Sequence, residues 1–396
     1  MQNEYSVIEV LNSEPPRTSQ AQLGQKLRTF LSILALGVVG GLFGYGIGSL
    51  AKGDSSGTEP SINEFFIIVI SVLFLGWLVL LIHEVGHLIG GRIAGFRFML
   101  LVVGPLKVLR EGNDIRLRLN TSLALAGGIA ASAPMDAYNL RRRMITMVAG
   151  GPAASLLLAI MCSGSFLVLL AVTPTPINER VALLLPMAGL MSFAVFLITI
   201  IPARTSGFFT DGARLRMLLR AGSQAERWSA LVAIYAASLG GQRPRDWSVE
   251  LIQQATDLPD GTLDDASGYL LAYYWALDQQ EYEKAERYLA YALGFRATLP
   301  ALIRASLALE AAYLAAHYHR NPQAARAWLQ QAKGGINDRH TRLRAQAAIA
   351  WAAGEHAAVQ GYITQALTAL DSTIDLGAAE AEREWLHELE TLSQTA

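Results

Sequence analysis

From Phe65 to Ile82 only Ser71 and Gly76 interrupt an apolar run. At ~1.5 Å per residue those positions make roughly 27 Å of helix, close to the hydrocarbon thickness of a bilayer. Four such stretches predict membrane-spanning helices: 29–50, 65 to about 89, 144–172 and 181–201. Between the second and third the period changes. Ile115-Arg116-Leu117-Arg118-Leu119-Asn120 alternates with period two, and Glu111-Gly112-Asn113-Asp114 is a turn signal, so 96–120 is predicted to form a small amphipathic sheet at the membrane surface. The following stretch, 121–134, is apolar, short and Gly-rich, and is expected to dip into the protein rather than cross.

Beyond residue 222 the chain is Ala-rich but regularly interrupted by Arg, Glu, Gln and Asp. Ala285, Leu289 and Ala292 recur as Ala325, Leu329 and Ala332, and again as Val359, Ile363 and Ala366. An aromatic precedes each central position: Tyr288, Trp328, Tyr362. Small and large residues at i, i+4 and i+7 suit the packed face of a helical hairpin that needs neighbours to cover it. Residues 261–370 therefore resemble a degenerate tetratricopeptide array, with 376–394 as a capping helix. An Ala-rich bundle of another kind fits the same pattern. The predicted architecture is mainly α: a polytopic membrane protein with four transmembrane helices, a membrane-surface β-sheet and a soluble C-terminal helical-repeat domain. The boundaries are 1–62 for the tail and first anchor, 63–221 for a three-helix core carrying the 96–120 insertion, and 222–396 for the helical domain.

Composition agrees with this division. The chain of 396 residues is 52% hydrophobic and only 16% charged. Its net charge of −1 says nothing of partners, and no basic stretch invites nucleic acid. Cys162 is the lone cysteine, so no intrachain disulfide is possible, as suits a reducing compartment. The 91–143 loop carries nine Lys/Arg against three acids. Lys52 in 51–64 faces Asp54, Glu59 and Glu64. The positive-inside rule then puts 91–143 and both termini in the cytoplasm. The first span reads as a retained anchor, because its polar leader contains Glu4, Glu9 and Glu14. Gly40, Gly44 and Gly48 give that span a smooth face for close packing.

The candidate chemistry sits at the end of the second span, in "LVLLIHEVGHLIGG". His83 and His87, four apart on a helix, project from one face and can bind one metal. Glu84 lies beside them to accept a proton from the water such a metal holds. Ionisable side chains clustered in a membrane helix are costly and functional by default. Catalytic zinc takes three protein ligands, so a third is required. A metzincin would place histidine where this chain has Ile93. His317, His319, His340, His356 and His387 fall in the helical domain, where surface positions are expected. Asp211 follows the irregular 202–207 segment and is either a ligand or, with Thr210, a helix cap. Asp114 and Asp136 are weaker candidates.

An HExGH on one apolar helix and a downstream Asp-Gly after another resemble the site-2 protease family of intramembrane metalloproteases. "VAGGPAASLLLA", 148–159, resembles that family's Gly-Pro segment. The resemblance covers roughly 63–218. It implies that His83, His87 and Asp211 hold Zn2+ and that Glu84 is the general base. Where the family has asparagines this chain has Ser155 and Thr199, whose hydroxyls are candidates to bind substrate. Residues 91–143 leave no room for an inserted PDZ domain. The expected activity is hydrolysis of a membrane-protein substrate whose helix unwinds locally and adds as a strand to the 96–120 sheet. The lipid bilayer surrounds the core, and a protein partner is expected on the helical repeats. Two rivals remain: a catalytically inactive membrane scaffold acting through those repeats, and a metal sensor or transporter. Further ionisable residues along the spans, which a conduction path needs, are missing.

Overall fold

A computed structural model describes residues 62–395 apart from 112, 121–126, 172–175, 206–207, 295, 297–298, 300, 334–338 and 372. The expected 29–50 span, with Gly40, Gly44 and Gly48, lies outside the described residues.

Three long helices, α1 (Ile62–Ile93), α2 (Leu140–Leu170) and α3 (Pro176–Ile200), pack together in the first half of the described chain. Among the described residues two helical stretches, Val69–Ile93 and Leu140–Leu170, are long and apolar enough to cross a bilayer. Only 22% and 17% of their most apolar windows are buried inside the protein, which separates them from the core helices of a soluble fold. Ile67, Ile70, Phe74, Ile160 and Leu167 all point outward. In α3 the described apolar stretch is Leu184–Ile200.

Helices α1 and α2 meet backbone to backbone. A Cβ on Gly86 would stand 2.4 Å from the Gly150 carbonyl oxygen, and one on Gly150 would stand 2.2 Å from that of Gly86. A Cβ on Gly90 would meet the Thr146 carbonyl oxygen at 2.6 Å. Small residues are what permit this approach in lipid, where no hydrophobic force drives helices together.

In the chain between α1 and α2 lies an antiparallel sheet: β1 (Phe96–Val103), β2 (Leu106–Glu111), β3 (Asp114–Leu119) and β4 (Ile129–Pro134), in the order β3-β2-β1-β4. The first three strands occupy the segment whose alternation predicts them. β4 was not foreseen as a strand. Its "IAASAP" has weak strand propensity, and it forms because β1 templates it from Phe96↔Pro134 to Val102↔Ile129. The Trp77 indole N–H donates to the Val103 carbonyl at 3.0 Å, pinning β1 to α1. On β3, Ile115, Leu117 and Leu119 are exposed, and alternation puts Arg116 and Arg118 on the opposite face.

After α3 the short pair β5 (Arg204–Thr205) and β6 (Phe208–Phe209) leads into α4 (Asp211–Arg220) and α5 (Ser223–Leu239). The helices that follow are α6 (Val249–Thr256), α7 (Leu263–Asp278), α8 (Tyr282–Gly294), α9 (Ala301–His317), α10 (Pro322–Gln331), α11 (Arg339–Ala352), α12 (His356–Leu370) and α13 (Leu376–Thr395). α7 packs on α8, α9 on α10 and α11 on α12 as successive hairpins. Of the repeated positions, Ala285, Leu289, Ala292, Ala325, Ala332, Val359, Ile363 and Ala366 are buried, whereas Leu329 is only part-buried and its neighbour Trp328 takes the core place. Arg344 of α11 is completely buried and bonds both Glu310 oxygens at 2.9 and 2.8 Å. Its Nε lies 2.9 Å from Glu382 of α13. Glu310 also accepts from Tyr273 and Tyr274 of α7, so four helices share one polar knot. His317 and His340, expected on the surface, are both buried. His317 stacks on Tyr313 with centroids 5.1 Å apart.

Candidate metal centre

His83 and His87 lie one turn apart on α1, rings edge to face with centroids 4.9 Å apart. Each ring is held through Nδ1. That of His83 lies 2.9 Å from the hydroxyl of Ser155 on α2. That of His87 donates to the Met147 carbonyl at 3.1 Å. A carbonyl only accepts, so the His87 proton is on Nδ1 and its Nε2 offers a lone pair. Ser155 is fully buried, and its own carbonyl accepts from the Ser192 hydroxyl of α3 at 2.7 Å. Support therefore passes from α3 through α2 to the ligand helix.

Space for His87 comes from Gly151, where a Cβ would stand 2.3 Å from His87 Nε2. Any side chain there would occupy the ligand's place. The Gly-Gly-Pro segment thus serves the centre through atoms it lacks.

Both Nε2 atoms face Asp211. His83 Nε2 is 3.2 Å from one carboxylate oxygen and His87 Nε2 is 3.4 Å from the other. Donors around a tetrahedral zinc with bonds of ~2.0–2.1 Å stand about 3.3 Å apart. One donor atom from each of the three residues can be chosen within 4.8 Å of the others. Two imidazoles whose Nδ1 atoms are held by Ser155 and Met147, and a carboxylate facing both Nε2 atoms, fit a zinc ion.

Asp211 reaches this point because the chain before it folds back. Arg204–Thr205 pairs with Phe208–Phe209, absorbing the long connection after Pro202. Thr210, not Asp211, caps α4. Its hydroxyl accepts from the Ala213 N–H at 3.3 Å and the Ala203 N–H at 3.0 Å, and donates to the Ile201 carbonyl at 2.8 Å. The carboxylate is thereby free of capping duty. Gly212 follows because a Cβ there would lie 1.7 Å from the Ile200 carbonyl oxygen, so α4 starts flush against the end of α3.

Glu84 turns its carboxylate toward the residue just before β4. Gly128, at φ +105°, leaves room for it: a Cβ would sit 2.5 Å from Glu84 Oε1. Thr199 donates to the Phe196 carbonyl at 3.3 Å within α3. Asp136 pairs with Arg143 at 2.7 Å and Asp114 is exposed on β3. Neither belongs to the His83, His87 and Asp211 group. Met147, Ser192 and Gly128 were not anticipated as parts of the site, whereas Gly151 was marked only within the Gly-Pro segment and Thr210 only as a helix cap.

Helix-borne histidines with a glutamate next to the first of them form the arrangement that metallopeptidases use. The chain belongs to peptidase family M50, the site-2 protease family, whose model matches residues 66–374. M50 members are membrane proteins and zinc metalloproteases. No curated protein and no solved structure matches the chain.

Proposed function

We propose that this chain is an intramembrane zinc metalloprotease that cleaves membrane-spanning substrates, with His83, His87 and Asp211 holding the ion. The observation that carries it is the convergence of both histidine Nε2 atoms on the Asp211 carboxylate, across the fold from α1 to α4. When bound, zinc supplies Lewis acidity at the scissile carbonyl and acidifies a water. Glu84 receives the water's proton on its carboxylate and passes it to the leaving amide nitrogen. β4 is the terminal strand of its sheet and lies beside Glu84, which makes it the favoured edge for an unwound substrate to join as a strand. Ser155 acts on His83 from behind, fixing the ring for the ion.

The chain is read as multi-pass with cytoplasmic termini, on its loop charges. The helical hairpins are read as a tetratricopeptide-like surface for a protein partner, on the recurrence of their buried positions. In a membrane preparation, Glu84→Gln is expected to keep stoichiometric zinc and lose substrate processing by about three orders of magnitude or more. Asp211→Ala is expected to lose zinc. Processing that is the same in wild type and Glu84→Gln would support the inactive-scaffold alternative, and full zinc affinity in Asp211→Ala would remove the third ligand.

A further inference from the structure

Arg214 lies three residues after Asp211, about 4.5 Å further along α4. Its guanidinium turns away from the membrane part toward the helical domain. There both terminal nitrogens meet Asp264 of α7, Nη2 to Oδ1 at 2.7 Å and Nη1 to Oδ2. The same cation lies over the Phe209 ring at 4.4 Å and the Trp228 ring at 4.6 Å from the centroids. The Arg214 and Asp264 side chains are 14% and 6% exposed, so solvent screens the pair little. Asp264 is itself fixed. Thr262 caps α7, and the buried Arg227 of α5 binds Asp260 at 2.9 Å and Thr262 at 3.0 Å.

Thr210 ties the first turn of α4 to Ile201 and Ala203, and the rest of the helix is held against the membrane helices by apolar packing. Met217 and Leu218 pack with Phe96, Leu140 and Met144. Apolar contact is non-directional, whereas a two-pronged arginine–carboxylate pair fixes orientation. The difference matters at Asp211. With a carboxylate carried ~5–6 Å from the helix axis, a turn of α4 by ~20° would move it about 2 Å, against a tolerance near ±0.2 Å for a metal bond.

We propose that Arg214 and Asp264 are positioning residues that hold the Asp211 carboxylate against His83 and His87, so that the helical domain completes the metal centre. This inference rests on the zinc metalloprotease reading. The test uses the full-length chain in detergent or nanodiscs, with zinc affinity measured by chelator competition and helical-domain stability by circular dichroism. Asp264→Asn is expected to weaken zinc binding about tenfold or more. Asp278→Asn breaks a pair of the same kind, with Arg243, inside the helical domain and away from α4. It is expected to lower the melting temperature yet leave zinc affinity within about twofold. Arg214→Lys keeps the charge but not the two-pronged geometry, and is expected to weaken zinc binding with little loss of fold. Exchange of the partners, Arg214→Asp with Asp264→Arg, is expected to recover part of the affinity. Unchanged affinity in both Asp264→Asn and Arg214→Lys overturns the inference alone. An equal loss in Asp278→Asn does the same, since it would mark a general effect of stability. A wild-type chain that binds no zinc overturns the metalloprotease reading and this one with it.

Discussion

At the scale of single residues, the centre depends on what stands behind the ligands. His83 and His87 were legible because the 3.6-residue helical period alone places i and i+4 together. Asp211 was legible only as one of two options. Whether a carboxylate after a proline-broken segment caps a helix or points elsewhere depends on which neighbour takes the cap, and Thr210 takes it. Ser155 drew attention as a hydroxyl in the right segment, but sequence carries no information on its partner across 72 positions, His83. Ser155→Ala removes that one bond and little volume. We expect zinc affinity to fall about 10–100-fold with helix content unchanged. An unchanged dissociation constant would show that the bond does not orient the ring.

At the scale of elements, the α1–α2 crossing and β4 carry the argument. The crossing could be suspected from Gly86, Gly90 and Gly150–Gly151, since glycine on a membrane helix signals either close packing or mere tolerance. The geometry chooses packing. Gly150→Ala must separate backbones that now leave only 2.2 Å for the new carbon. It would carry His87 away from the Met147 carbonyl at the same time. We expect a marked loss of both processing and thermal stability, read from substrate cleavage and a melting curve. Wild-type values for both would mean that the helices part without moving the site. β4 escaped sequence reading because alanine and serine alternate nothing. A strand of small residues is recognised by its partner, here β1, rather than by its own pattern.

At the scale of the whole molecule, α4 joins two regions with different surfaces. The first two helices turn apolar side chains outward, while the helical region buries its apolar faces and pairs the charges it buries. Salt bridges in that domain make its stability depend on acid. Burial alone would raise the Asp278 carboxyl, but bonds from Arg243 and from the Arg245 backbone N–H outweigh it and hold the group below its ordinary 3.8. Asp260 is lowered in the same sense against burial by Arg227 and Thr262. A folded-state value below the unfolded one means that the unfolded chain binds more protons in acid. The stability these groups give is therefore full above about pH 4 and drains away as pH falls through the lowered values. Circular-dichroism melts from about pH 7 to about pH 2.5 are expected to show a plateau and then a decline. Asp278→Asn should flatten part of that decline, and an unaltered slope would show that its carboxylate is not among the groups responsible. The division into an apolar core and a polar helical region was plain in the hydropathy pattern. The tie between them was not, because Arg214 and Asp264 are 50 positions apart and each looks like an ordinary surface charge.

The glycine crossing gives the centre one fixed jaw. Where Gly86 and Gly90 meet Gly150, Thr146 and Ala154 the contact is backbone against backbone and one methyl, so no rotamer there can repack to let His83 and His87 shift by small steps. The opposing jaw, α4 with Asp211, is borne on a two-strand turn and on directional contacts that can be gripped or slackened. A vice of this kind is adjusted from one side only. Substitutions, ligands or partners that tune the metal without destroying it should therefore collect on the α4, α5 and α7 side of the molecule, and those on the glycine side should act as all or none.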